Sequence, residues 1–416
     1  MPAIAQLSGL APEALVQTVL MFSGGIARRL PRVGSIDTNP YVAFLTGIRT
    51  PTGSQHPANV CGNCVVIDHE TICRAAFPFG RVCYSNNIVI EQFIQRLNRG
   101  EVQPEMLGEL VPQEVVANLR SRVYDQRTIL QSSVAYGMTL VLAGLATEIS
   151  INIWQGTGSG GSGYSTPVGL ENLITSPSTY ITPVVSGGSC TPAYPTIINY
   201  NNDYNATNTT VGSMLVAALN RLSSILSVKA RGTGFDDMEW AICMPPELAE
   251  LVKQMWSAAY ATTFGYQLPS GTSFVVDASA VAKMREAIEQ ESAMYIGGRR
   301  YVLVPDPGIA VTTAANENTA NIYFLPLRSG RLDTLYLHYL DLSQFQNWPD
   351  VQGMTWTDGG MVQWWWTQSG PCVSISGMTQ YRPVLLTPHL AGAVVGVQWP
   401  VGTPAWPVPV HPGAVG

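Results

Sequence analysis

The feature that most constrains this chain is a run of helix-periodic text between Pro112 and Ala146. Pro112 suits a first helical position, where its missing N–H costs nothing. Apolar residues then recur at Val116, Leu119, Val123, Ile129, Leu130, Val134 and Met138, a spacing that places them on one helical face. In the first half Glu114, Arg120, Arg122, Asp125 and Arg127 occupy the other faces, whereas Val134–Ala146 is almost wholly apolar. One helix of about 50 Å, at 1.5 Å per residue, is therefore expected to be half solvated and half buried. Strand-like text, Glu148–Trp154, follows it, and then a glycine-rich loop, Gly156–Gly163.

The flanking text is of several kinds. Residues 1–50 combine an apolar stretch, Pro12–Ile26, with Arg-, Pro- and Gly-rich chain, which reads as an arm. Residues 51–85 read as a β-hairpin with limbs Cys64–Ile67 and Thr71–Tyr84, the second interrupted by Pro78-Phe79-Gly80, and Asp68-His69-Glu70 near the tip. The limbs hold few core-forming residues, so the hairpin is expected to project. Asn86–Arg99 reads as a helix capped by Asn86 or Asn87 and stopped by Gly100. Residues 164–206 read as extended segments and loops, and a second helix runs from Thr209 to Ala230.

Residues 235–345 alternate between the two periodicities and form an α/β unit of ordinary domain size. Its expected strands are Trp240–Met244, Phe274–Val276, Tyr295–Ile296, Tyr301–Val304, Asn321–Leu327 and Thr334–Leu340. Its expected helices are Glu247–Tyr260 and Ala278–Glu291, the latter capped by Asp277. Residues 346–416 return to strand text at Val362–Thr367, Cys372–Ile375 and Pro383–Leu386, then run into a Trp- and Pro-rich tail.

Composition narrows the class. The chain has 416 residues, too long for one ordinary core, and 46% are hydrophobic, enough apolar material for sizeable cores. Only 12% are charged, against roughly 25% in a typical soluble domain. A surface covered by neighbours accounts for this, because interface cores are depleted in charge. The net charge of −6 is opposite to that of a basic nucleic-acid-binding protein, and one small basic cluster stands out, Arg28, Arg29 and Arg32. The longest apolar stretch, Met138–Ala146, is far shorter than the ~20 residues a bilayer requires, and Met1–Gln17 lacks the basic n-region of a secretory signal. No membrane association or secretion is expected.

The seven cysteines are an odd number, unlike a secreted disulfide framework. Cys61, Cys64, Cys73 and Cys83 crowd together, and three readings compete for them: a small structural metal site, disulfides within or between subunits, and buried thiols.

Catalytic patterns fail on spacing or context. The histidines His56, His69, His338, His389 and His411 form no His-Glu-x-x-His array, and no Gly-x-Ser-x-Gly elbow occurs. The Gly156–Gly163 loop lacks the lysine of a phosphate loop. Asp236-Asp237 and the set Glu286, Glu289 and Glu291 read as solvated surface, and Trp364-Trp365-Trp366 as rings alternating between two faces of a sheet. No catalytic residue, cofactor or metal is assigned, and an enzyme is not expected.

The order of these parts resembles the Hong Kong 97-type fold of tailed-phage major capsid proteins. The stretches that carry the resemblance are Leu130–Gly156 (LQSSVAYGMTLVLAGLATEISINIWQG), Trp240–Trp256 (WAICMPPELAELVKQMW), Tyr295–Pro307 (YIGGRRYVLVPDP) and the return Cys372–Val395. The resemblance implies an α+β fold with an N-terminal arm (1–50) and an extended hairpin loop (51–85). It implies a peripheral domain (86–234) holding the spine helix 112–146, an axial domain (235–345), and return strands with a tail (346–416). It further implies a self-assembling, non-enzymatic subunit that forms hexamers and pentamers of an icosahedral virion capsid, put together in the host cytoplasm. Its partners would be further copies, a decoration or scaffolding protein, a portal, and double-stranded genomic DNA enclosed without sequence-specific binding. Some members crosslink through a lysine–asparagine isopeptide bond, but Lys229, Lys253 and Lys283 all lie outside the loop. Cys61, Cys64, Cys73 and Cys83 are therefore the expected reinforcement between subunits, and Arg28, Arg29 and Arg32 an interior or arm cluster. An encapsulin-like compartment sharing the fold is the first alternative, and a surface carbohydrate-binding β protein the second.

Overall fold

The computed structural model describes residues 25–35, 41–44, 73–102, 113–122, 125–158, 166–183, 190–200, 211–253, 292–296, 299–314, 317–341, 354–356 and 361–400. The expected arm helix before Gly25, the hairpin tip, the centre of the glycine-rich loop, the strand and helix over 274–291 and the tail beyond Pro400 lie outside them. The chain divides into two units, Met1–Pro40 with Phe77–Gly169 and Leu337–Pro383, and Tyr41–Ala76 with Leu170–Tyr336 and Val384–Gly416.

In the first unit the long periodic run is two helices, not one. Gln113–Arg120 ends where Arg122 takes a left-handed φ of 56°. Gln126–Gln155 then starts afresh, with the Asp125 side chain accepting from the Thr128 N–H at 2.7 Å. That N-cap supplies a partner to a helix-start donor that has none within the helix. The second helix also absorbs the expected strand Glu148–Trp154. Leu145, Ala146, Ile149, Ile153 and Trp154 are all buried there at helical spacing. Isoleucine disfavours a helix by only a few tenths of a kcal/mol, whereas burying one side chain contributes about 1.5–3 kcal/mol, so packing decides. Polar residues in the stretch bond locally: the Ser150 hydroxyl donates to the Ala146 carbonyl and the Asn152 amide to Glu148 Oε1. By length and hydropathy Thr128–Gln155 could cross a bilayer, unlike the shorter stretch read from sequence, but over half of its most apolar window is buried inside the protein.

The helix lies on a six-stranded sheet ordered Arg32–Ser35, Leu335–Leu340, Cys372–Leu385, Val362–Ser369, Met354–Trp356, with Gly80–Val89 also paired to Cys372–Leu385. Trp364 stands opposite Gly377, and Gly377 opposite Tyr84, so all three share the helix-facing side. A Cβ on Gly377 would sit 2.8 Å from Val141 Cγ1, and one on Gly137 2.1 Å from Ile375 Cδ1. Trp365 points to the other face and packs with Leu340, Met378, Phe79 and Cys83, so the tryptophan rings divide between faces as the strand period requires.

A buried polar network ties distant segments of this unit. Arg382 donates through Nε to His338 Nδ1 at 3.0 Å and through Nη1 to the Phe77 carbonyl at 2.8 Å, with its guanidinium 4.3 Å from the Phe79 ring centre. A guanidinium only donates, so His338 Nδ1 accepts. In a neutral ring Nε2 then carries the hydrogen and donates to Ser35 Oγ at 2.7 Å.

Two expectations change here. The limb Thr71–Tyr84 does not project as one piece: Cys73–Ala76 pairs with Tyr41–Ala43 and Ile181–Pro183, while Gly80–Val89 pairs with Cys372–Leu385. Phe77-Pro78-Phe79 separates them, because proline lacks the ladder donor. The helix expected from Asn86 begins only at Ile90, with Val89 as a cap that makes no side-chain bond. Asn86 and Ile88 are held in the ladder opposite Ile375 and Val373, and the Ile90 N–H donates to the Pro371 carbonyl at 2.9 Å.

The second unit is built on an eight-stranded sheet ordered Thr196–Asn199, Gly392–Pro400, Glu317–Ser329, Met238–Met244, Arg299–Pro305, Ala293–Ile296, with Thr312–Ala314 and Leu332–Asp333 beside Glu317–Ser329. The helix Val211–Thr233, expected with the spine helix, instead packs on this sheet: Leu215, Leu219, Leu222 and Leu226 meet Trp240, Ile242, Leu303, Ile322, Phe324 and Val394. Residues 170–180, expected as extended chain, hold the short helices Leu170–Thr175 and Pro177–Tyr180.

The close helix-to-sheet approach sets a test. Gly377→Val in the unassembled chain should lower stability by about 1–3 kcal/mol through overpacking, read as a lower urea midpoint. Leu140→Ser, at an exposed position of the same helix, should stay within about 0.5 kcal/mol.

Candidate assembly surfaces

Cys61 and Cys64 lie outside the described residues. Cys73, on the strand Cys73–Ala76, forms a disulfide with Cys190, 117 residues away, with a Cα–Cα distance of 5.8 Å. Of the three readings open at Cys73, the structure has a disulfide within the chain, to a cysteine outside the crowded four. Strand pairing explains it, because Cys73 stands opposite Pro183 and Cys190 follows shortly after. Both cysteines are buried. Cys83 belongs to another sheet and is a free, half-buried thiol, pushed up by burial and drawn back only partly by Arg81. Among the described residues no three His, Cys, Asp or Glu side chains converge as metal ligands.

The three arginines lie in or beside a short turn. Ile26, Ala27 and Leu30 are buried, and the Arg29 and Leu30 N–H groups donate to the Ile26 carbonyl. Arg28, Arg29 and Arg32 are exposed around this anchored turn.

Buried titratable groups occur in the second unit, and of these the sequence had singled out His389, as one of five histidines without a catalytic array. His389, in the turn Pro388–Leu390, is 3% exposed, and neither ring nitrogen has a hydrogen-bond partner among the described residues. Burial, and then the charge of Lys229, hold its imidazole down from the usual 6.5 to about 4. Lys229 is itself lowered by burial and donates to Thr196 Oγ1 at 2.9 Å. Glu171 is raised by burial, partly offset by bonds from Tyr323 and Asn321.

Some large apolar side chains face outward. Leu140 is 43% exposed, beside a groove lined by Asn86, Ile88, Gln92, Phe93, Arg96 and Tyr136. Val228, on the helix Val211–Thr233, is 71% exposed. Among the described residues, Arg32–Ser35 and Met354–Trp356 end one sheet, and Thr196–Asn199 and Ala293–Ile296 the other.

No protein-family model matches the chain, and no curated protein does. Among solved structures the chain is similar to the capsid of cyanophage A-1(L), at 11% identity over 89% of this chain and 92% of that one, with a TM-score of 0.48. It is similar to the capsid of Ralstonia phage GP4, at 11% identity over 91% and 88%, with a TM-score of 0.45. It is also similar to the holo-SrpI encapsulin complex from Synechococcus elongatus, at 10% identity over 89% and 86%, with a TM-score of 0.38.

Two measurements follow. In denaturant without reductant Cys73 and Cys190 should resist alkylation, and labelling of either would contradict the bond. Cys190→Ser should cost about 2–5 kcal/mol. For His389 the folded state takes up the proton less readily than the unfolded state. Its contribution to stability is complete above pH 6.5 and is lost as pH falls toward 4. Urea unfolding across that window should show a loss of about 3 kcal/mol, at about 1.4 kcal/mol per pH unit, and His389→Leu should flatten it.

Proposed function

We propose that this chain is a self-assembling, non-enzymatic shell subunit of the Hong Kong 97 type, forming hexamers and pentamers of an icosahedral phage capsid that encloses double-stranded DNA. The observation that carries the reading is the order of elements along the chain. An arm strand and a loop strand precede a long helix laid across a sheet. A second helix and an α/β sheet follow, and the last strands return to both sheets. The first unit would serve as peripheral domain and the second as axial domain.

Elementary physics supports the same reading. Only 12% of residues are charged, which suits a surface largely covered by neighbours. Sheet edges offer unpaired backbone donors and acceptors that another chain can complete. Exposed side chains such as Leu140 and Val228 add apolar contact. Further copies are thus the main partners; a scaffolding or decoration protein and a portal would complete a virion built in the host cytoplasm.

Electron microscopy of the purified chain tests this directly. Closed particles tens of nanometres across are expected, and a stable monomer at high concentration would refute assembly. Nucleic acid inside particles from infected cells supports a capsid; an enzyme cargo with no nucleic acid would move the chain to the compartment class.

A further inference from the structure

We propose that the turn bearing Arg28, Arg29 and Arg32 is a contact site for the phosphodiester backbone of double-stranded DNA. The inference rests on the reading of the chain as a DNA-enclosing shell, and it adds a defined inner contact to a wall otherwise described only by its packing.

Three observations carry it. First, the backbone is fixed. Ile26 is 0%, Ala27 3% and Leu30 4% exposed, the Ile26 carbonyl accepts from two N–H groups, and the Leu337 N–H donates to the Pro31 carbonyl at 2.9 Å. The strand Arg32–Ser35 then pairs in parallel with Leu337–Leu340. The guanidinium groups therefore start from a preorganised frame, and only side-chain freedom is lost when they bind.

Second, Arg28 and Arg29 have no ion-pair partner among the described residues. Arg96 and Arg99 meet Glu101, Lys253 meets Glu250, and Arg328 meets Glu239, and other exposed arginines without an ion pair among the described residues, Arg122, Arg231 and Arg331, stand singly in the sequence. The chain holds 28 acidic against 22 basic residues, so carboxylates are not scarce. Two adjacent cations left without one repel each other, and an external anion relieves that repulsion.

Third, the chemistry fits phosphate. The guanidinium fork matches a phosphate's oxygens in a bidentate way. Duplex DNA carries one charge per about 1.7 Å of axis, so a short row of arginines meets phosphates in any register. Such contact is independent of sequence and weak per subunit, as a wall lining a packed genome requires.

The test uses the full chain before assembly and a fluorescent duplex DNA of arbitrary sequence, titrated between about 50 and 200 mM salt. Each phosphate contact contributes about 0.9 to the slope of log affinity against log salt. The double variant Arg28→Ala/Arg29→Ala should therefore reduce the slope by about 1.8, equally for unrelated sequences. Arg28→Lys/Arg29→Lys should keep most of it, and Arg99→Ala, at an arginine already paired, should leave it unchanged. An unchanged slope in the double alanine variant, or no DNA binding by the unaltered chain, overturns the proposal. So does loss of shells with the slope retained, which would assign the arginines to an acidic surface of a second copy. Shell formation is scored separately by microscopy: failure of the unaltered chain to form shells strikes the shell reading, whereas the slope reports on the arginines alone.

Discussion

The first unit depends on the close approach of one apolar helix to one sheet. Gly137 and Gly377 leave no room for a Cβ between the helix Gln126–Gln155 and the strands beneath it. Protein interiors are packed as densely as organic crystals, so such a contact tolerates little change in volume. The approach also explains why polar residues are tolerated within the helix. Ser132 and Ser150 are buried, yet each hydroxyl donates to a carbonyl of the preceding turn. No outside partner is needed, and the helix can be covered along much of its length.

Segments remote in sequence are held by specific bonds as well as by burial. Arg382, His338 and Ser35 connect a return strand, a sheet strand and the arm strand, with the Phe77 carbonyl as a further anchor. A buried cation is costly unless it is hydrogen-bonded, so removing any one member leaves the others exposed to that cost. In the second unit, Cys73–Cys190 joins the three-stranded sheet to the turn Thr191–Ala193. Within each unit these ties join segments that burial alone would leave to packing.

Much of the architecture was legible in the residues. The helix Val211–Thr233 follows its expected apolar stripe, and the strands Met238–Met244 and Arg299–Pro305 stand out as short apolar runs because they are buried on both faces. The misreadings occur where two local signals compete. Ile149 and Ile153 suggest a strand, yet burial along the helix prevails. Asn86 and Asn87 suggest a cap, yet the ladder with Cys372–Leu385 extends past them. The arginine cluster was visible as three charges; its anchored turn was not.

By itself the sequence determined the kinds of element: few charges, and two kinds of periodic text in a fixed order. These properties depend on residue identity and local spacing. Only tertiary structure decided that Cys73 bonds Cys190, that Arg382 rests between His338 and Phe77, and that the second helix covers the eight-stranded sheet. Each of these joins residues separated by tens to hundreds of positions, and local periodicity carries no information about which distant surfaces meet. The same holds for the turn at Arg28 and Arg29, whose fixed presentation comes from Ile26, Ala27 and Leu30 finding burial.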